Sequence, residues 1–305
     1  MMKTRPNRLQ QGDTVGLVAL SSPLKMERLD DAITFLQGLG LKVKIGQTIG
    51  ANHLDYLAGS DEERLDDLHA MIADPDVHAI FCARGGYGAA RIADKIDYQL
   101  LKENPKIFWG FSDVTYLHTA IGEYSELVTF HGPMVAAHEN HFDELTKKMF
   151  MQLFTPIEIQ YDERISPLQT VVGGVARGEL IGGNLNRIVS TLGTKFEIDV
   201  RGKILVLEDI EESITHLDGL LNQLRLSRKL EAAAGIVLGS FTFEGEELEA
   251  EKLAQLFKDY FGEQKKPVVS GFKIGHCTPN VAIPFGVDAI LDGDAQILRI
   301  LPGVL

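Results

Sequence analysis

The chain has 305 residues, 45% apolar and 24% charged, enough for two domains and a substantial core. A net charge of −13 argues against a nucleic-acid partner, which needs clustered Lys and Arg, and against docking on anionic membranes. No apolar run approaches the ~20 residues that cross a bilayer.

The opening "MMKTRPNRLQQGDTVG" has basic residues but no apolar core behind them, so no secretory signal is expected. Only Cys82 and Cys277 are present, so no disulfide framework holds the chain and a reducing cytoplasm is the expected location. The partner these features favour is a small molecule.

In chain order, "TVGLVAL" (Thr14–Leu20) reads as a short apolar strand, followed by "SSP" and an amphipathic stretch, Lys25–Leu39. "LKVKIG" (Leu41–Gly46) alternates like a strand. From Asp61 to Ile72 the leucines and isoleucine share one helical face, with acids opposite. Then come "VHAIFCA" (Val77–Ala83), the loop "RGGYG" (Arg84–Gly88), a short helix, and "KIFWG" (Lys106–Gly110). A helix after Ser112 and the strand "LVTF" (Leu127–Phe130) complete this half. Strands separated by helices imply a parallel sheet covered on both faces, with ligand sites beyond the strand carboxyl ends. Both "RGGYG" and "GFSD" sit at such ends.

Residues Thr155 to Gly174 show no helical period and carry prolines and a Gly pair, which suggests a crossover between domains. The expected organisation is an N-terminal α/β domain over residues 1–155, a linker over 156–174 and a C-terminal domain over 175–305. The latter holds "RGKILVLEDIEES", a helix Ile214–Leu226, "GIVLGSF", a helix near Ala250–Tyr260 and "PVVSGFKIGHCTPN". Its end, Val287–Leu301, reads as two strands joined at Asp292-Gly293-Asp294. This domain therefore mixes strands and helices, with more antiparallel pairing.

Ser112-Asp113 lies where an apolar strand becomes a helix. Ser and Asp are favoured at helix N-termini, where they accept orphan N–H groups and suit the dipole. Gly110 and the strand before the turn point instead toward a nucleophile elbow, with the Asp113 amide aimed at a developing oxyanion. The usual G-x-S-x-G is incomplete, because position 114 is Val. A capping role is expected to coexist with the chemical one.

A serine nucleophile needs a base held by an acid. Of nine histidines, His118 follows Ser112 on the same helix and is expected to point away, packed or on the surface. His138 and His141 in "HENH" lack a zinc spacing. His276, in "IGHCTPN" directly after a strand, is presented by a constrained loop. Among the acids, Glu208 ends the apolar run Ile204–Leu207, whereas Asp209, Glu211 and Glu212 look like the entry to the next helix. An acid cluster can hold a divalent cation, but no further oxygen ligands stand in register.

"RGGYGAARI", "GFSDVTYLH", "GGNL" (Gly182–Leu185), "LEDIEE" and "GHCTPN", in this order, resemble the serine LD-carboxypeptidases, across essentially the whole chain. That resemblance implies a flavodoxin-like N-terminal domain and a C-terminal domain with a β-rich core. It implies a Ser112–His276–Glu208 triad, with an oxyanion hole from the Asp113 amide and a glycine of "GGYG", Gly86, with Gly85 the close alternative. The implied reaction releases D-alanine from a murein tetrapeptide during peptidoglycan recycling. "SITHLDGLL" departs from the family pattern, so His216 and Asp218 bear on substrate fit.

Arg84 and Arg187 are cations that either bind a substrate carboxylate or pair with an acid of the chain. Three rivals remain: a related immunity hydrolase acting on an aminoacyl-nucleotide antibiotic, a non-enzymatic nucleotide sensor using "RGGYG", and a cysteine hydrolase using Cys82 or Cys277. "RGGYG" lacks the Lys-Ser/Thr ending of a Walker motif, and Cys82 lies in a core strand. Peptide length and assembly state, including a homodimer, are left open.

Overall fold

The computed structural model describes residues 3–136, 142–243, 246–247 and 250–305. The "HENH" histidines, His138 and His141, lie outside them.

The first half builds five parallel strands: β1 (Thr14–Val18), β2 (Lys42–Ile45), β3 (Val77–Cys82), β4 (Ile107–Gly110) and β5 (Thr129–His131). Their order is β2-β1-β3-β4-β5, the flavodoxin-like winding. Strand β3 reads as a continuous apolar run because both faces are covered. Ala79 and Phe81 pack with Trp109 and the helix Leu29–Gly38 on one side. Ile80 and Cys82 pack with the helices Asp61–Ala73 and Thr115–Tyr124 on the other. The helix Asp61–Ala73 starts on a complete capping box, Ser60 with Glu63, so the acids of its first turn are fixed by local chemistry.

The second half contributes β6 (Ile159–Tyr161), β7 (Gln169–Val172), β8 (Val175–Asn184), β9 (Ile204–Asp209), β10 (Gly235–Phe243), β11 (Glu246–Glu247), β12 (Val268–Ser270), β13 (Ile283–Phe285), β14 (Asp288–Asp292) and β15 (Ile297–Ile300). Strands β8, β9, β10 and β12 run parallel, and β7, β14, β15 and β6 join antiparallel at the two sides. The expected hairpin at Asp292-Gly293-Asp294 is the β14–β15 pair.

The segment 156–174, expected as a bare linker, supplies both edge strands of this sheet, β6 and β7. An edge strand pairs on one side only and needs no long alternating pattern, so prolines and glycines around it hid both strands.

One strand crosses between the halves. Strand β13 leaves the second sheet and pairs antiparallel with β5, Ile283 opposite His131. The loop of residues 271–282 therefore spans the two sheets and brings His276 to the carboxyl ends of β4 and β5. Apolar side chains from both halves, Trp109 and Phe130 with Val206 and Val237 among them, share one continuous core.

Among the described residues, no helix is long and apolar enough to cross a membrane.

Candidate active site

Three strand ends meet at the site. The loop after β1 is laced to the glycine loop after β3: the Ser22 amide donates to the Gly85 carbonyl at 3.2 Å, and the Tyr87 amide donates to Ser22 Oγ at 3.2 Å. Beside them, β4 ends at Gly110 and the chain turns through Phe111 into a short 3-10 turn, Ser112–Val114.

Ser112 takes φ +62, the left-handed region that costs a non-glycine residue roughly 1–3 kcal/mol. A side chain on such a turn projects outward instead of back over the helix. Accordingly the Ser112 hydroxyl makes no capping bond, and the capping role expected from sequence is absent. Asp113 is buried instead, its carboxylate accepting from the Ala89 amide at 2.8 Å and facing Arg187 at 3.3 Å. Burial pushes the Asp113 carboxyl up, and those two donors pull it back toward ionisation.

Gly85 touches the serine. A Cβ at this position would lie 2.9 Å from Ser112 Cβ, 3.1 Å from Oγ and 3.6 Å from the Asp113 amide nitrogen. Gly86, with φ +105, packs instead against Ser22, where a Cβ would fall 2.3 Å from Oγ. The peptide joining Gly85 to Gly86 thus borders the serine hydroxyl and the Asp113 amide.

Glu208 is the penultimate residue of β9 and is fully buried. Its Oε2 lies 2.7 Å from His276 Nδ1 and also accepts from the His276 backbone amide at 3.3 Å. Burial alone would raise the Glu208 carboxyl, but the charge of His276 and these bonds outweigh it and hold the group below the usual range. The His276 ring in turn lies 4.5 Å, centroid to centroid, from Phe111, the residue before Ser112. Sequence-distant Glu208 and His276 are thereby joined, and the pair is set against the serine turn.

Other expectations fall out of the same geometry. His118 is packed, but it does not point away from the turn. Its Nε2 lies 2.8 Å from the Gly110 carbonyl, which can only accept, so Nε2 carries the proton. One helical turn of rise is enough to carry the ring back over the strand end. Arg187 pairs with Asp113, and Arg84 donates to the Pro23 carbonyl at 2.6 Å.

Asn184 ties "GGNL" to the site. Its amide donates to Thr115 Oγ1 at 3.0 Å, and its side chain reaches Asp209 at 2.7 Å. His216 pairs with Glu212, and Asp218 accepts from the Tyr260 hydroxyl at 2.6 Å. Cys82 is fully buried and its thiol is pushed up by burial, so it fits core and not chemistry. Among the described residues, no group of three or more His, Cys, Asp or Glu side chains is arranged to hold a metal.

Sequence reasoning passed over His131. It ends β5, immediately before Gly-Pro, fully buried, with its ring 5.8 Å from that of Phe111. An imidazole closing an apolar strand at the ligand end of a parallel sheet was the available signal.

A flavodoxin-like sheet, a strained serine at a strand end and a buried carboxylate–imidazole pair together define an α/β hydrolytic architecture. Residues 15–132 match the LD-carboxypeptidase N-terminal domain and residues 177–291 the LD-carboxypeptidase C-terminal domain, and the chain belongs to this family. It is 47% identical to the probable murein peptide carboxypeptidase of Bacillus subtilis, over 98% of this chain and 95% of that protein. It is 31% identical to the murein tetrapeptide carboxypeptidase of Pseudomonas aeruginosa, over 92% and 93%. Among solved structures, microcin C7 self-immunity protein MccF in complex with glutamyl sulfamoyl guanosine superposes with a TM-score of 0.86 at 26% identity, covering 97% of this chain and 98% of that one.

Proposed function

We propose that this protein is a serine carboxypeptidase that hydrolyses the amide between an L-centre and a terminal D-amino acid. Its substrate is a cytoplasmic murein tetrapeptide, and it releases D-alanine. The observation that carries the reading is Ser112 at φ +62 beside the 2.7 Å Glu208–His276 pair. The relatives named for murein peptides supply the substrate class.

In this mechanism Glu208 accepts a hydrogen bond from His276 Nδ1–H and so fixes the tautomer whose Nε2 is bare and basic. That nitrogen takes the Ser112 proton as Oγ attacks the scissile carbonyl. The tetrahedral oxyanion is held by the amides of Asp113 and Gly86, donors fixed in place by the backbone. His276 then gives its proton to the leaving D-alanine amine. A water repeats the sequence and clears the acyl-enzyme, and no metal or organic cofactor takes part.

The second reading is the immunity hydrolase, favoured by the likeness to MccF. Steady-state turnover of an L,D-tetrapeptide, its all-L isomer and an acyl-sulfamoyl nucleoside separates the two. The murein reading expects D-alanine release from the first alone. Faster turnover of the nucleoside conjugate would transfer the assignment to the immunity reaction.

A further inference from the structure

We propose that His131 is a positioning residue for the Glu208–His276 pair, acting through one buried water held between its imidazole and Glu208 Oε1. The proposal rests on reading that pair as the acid and base of the relay.

Glu208 uses one oxygen only: Oε2 takes both bonds from His276, while Oε1 is buried without a partner. His131 is fully buried, and neither ring nitrogen has a partner. The rings of His131 and His276 pack against the same Phe111 ring, at 5.8 and 4.5 Å, which sets His131 beside the Glu208–His276 pair. Polar atoms left dry in a low-dielectric interior are costly, and buried water is the usual remedy where several such atoms face one space.

Hydrogen counting points the same way. His118, whose ring lies 6.3 Å from that of His131, donates Nε2–H to Gly110, so its unpartnered Nδ1 must accept. Burial holds His131 near pKa 4 and hence neutral, with one N–H and one bare nitrogen. The cluster therefore has three acceptors, Glu208 Oε1, His118 Nδ1 and the bare His131 nitrogen, against a single donor. One water adds two O–H donors and balances the set.

The ionisable groups facing His131 are Glu208 from β9, His276 from its loop and His118 from the helix Thr115–Tyr124. The neighbouring elements add the rings of Phe111 and Phe285. With Oε1 anchored, the carboxylate cannot rotate away from His276 Nδ1, and the base keeps its tautomer. Partners of this kind behind a reacting group are typically worth about 10–100-fold.

The test has two parts. A high-resolution crystal structure of the protein should contain an ordered water within hydrogen-bond distance of both Glu208 Oε1 and a His131 nitrogen. A dry space there overturns the proposal. With a murein tetrapeptide, His131→Phe should lose about 10–100-fold in kcat with KM within twofold. It should also move the acid limb of kcat/KM against pH, and His131→Asn, which can still bond the water, should recover part of the loss.

An unchanged kcat and pH profile in His131→Phe would reduce His131 to packing. So would equal losses in both variants accompanied by equal drops in Tm. Full turnover by Ser112→Ala would instead bring down the relay itself. A dry site with an inactive Ser112→Ala variant would sink the His131 proposal alone.

Discussion

Gly275 presses its Cα against the carboxylate of Glu208: a Cβ built on this glycine would fall 2.3 Å from Oε2, the oxygen that holds His276. Its φ of +104 is in addition a conformation that L side chains rarely adopt. The glycine before the histidine is thus a steric requirement of the Glu208–His276 contact. Gly275→Ala should cost roughly 1–3 kcal/mol of stability. It should lower kcat by about 10²–10⁴-fold, the upper end being the loss when a relay histidine is left in the wrong tautomer. Steady-state kinetics with urea unfolding checks both. Unimpaired kcat would mean that the Glu208–His276 contact is not required.

Gly85 is a sharper steric probe of the serine itself. It lacks the positive φ of Gly86, so alanine there carries no backbone penalty, yet its methyl would crowd Ser112 Oγ at 3.1 Å. A Cβ there would also fall 2.9 Å from Ser112 Cβ, so the serine turn must shift and Gly85→Ala should lower Tm by several degrees. It should lose about 10²-fold in kcat, the order seen when one oxyanion donor is lost. Thermal melts and kinetics on one preparation decide the matter, and wild-type kcat would place the reacting centre elsewhere.

Acid should destabilise the fold through its buried histidines. Burial pushes His118 down to about 3 and His131 to about 4, below the ~6.5 of an unfolded chain. Within that window the unfolded chain binds protons that the folded one refuses, so their stabilisation is complete above ~6.5 and is lost as pH falls. Each adds a slope of about 1.4 kcal/mol per pH unit.

Asp209 works in the opposite sense. Burial, and then the Glu208 charge, raise it to about 7, so its stabilisation is lost as pH rises through that value. His118→Gln keeps a donor for Gly110 and leaves Asp209 in place, so comparing the two proteins isolates one proton. Urea midpoints from pH 4.5 to 7 should show the variant flatter by that one-proton slope. Identical slopes would contradict a neutral His118 in the folded state.

The legible parts of this protein were those governed by local chemistry. Buried parallel strands announce themselves as apolar runs, and the helix Asp61–Ala73 carries its own cap, so the first sheet could be read in order. Ser112 and Glu208 stand out as polar groups at or near the ends of apolar strands, whereas His276 sits six residues past β12, in the loop that leads to β13.

What could not be read depends on long-range pairing. Strand β13 lies in the second half of the chain but pairs with β5, and nothing in "IPF" says which sheet it joins. Strands β6 and β7 are short edges whose partners are more than 90 residues away in sequence. The same limit hid His131, whose importance rests on a carboxylate 77 positions along the chain (Glu208).

The central claim is that one hydroxyl, activated by the Glu208–His276 pair, attacks the peptide. The most direct measurement is D-alanine release from a murein L,D-tetrapeptide, followed by mass spectrometry for wild-type protein and Ser112→Ala. Wild-type protein should shorten the peptide by one alanine, while the folded variant should fall at least ~10⁴-fold, toward the residue of catalysis that binding and an oxyanion hole sustain alone. Equal alanine release by the two proteins would remove Ser112 from the chemistry and the account with it.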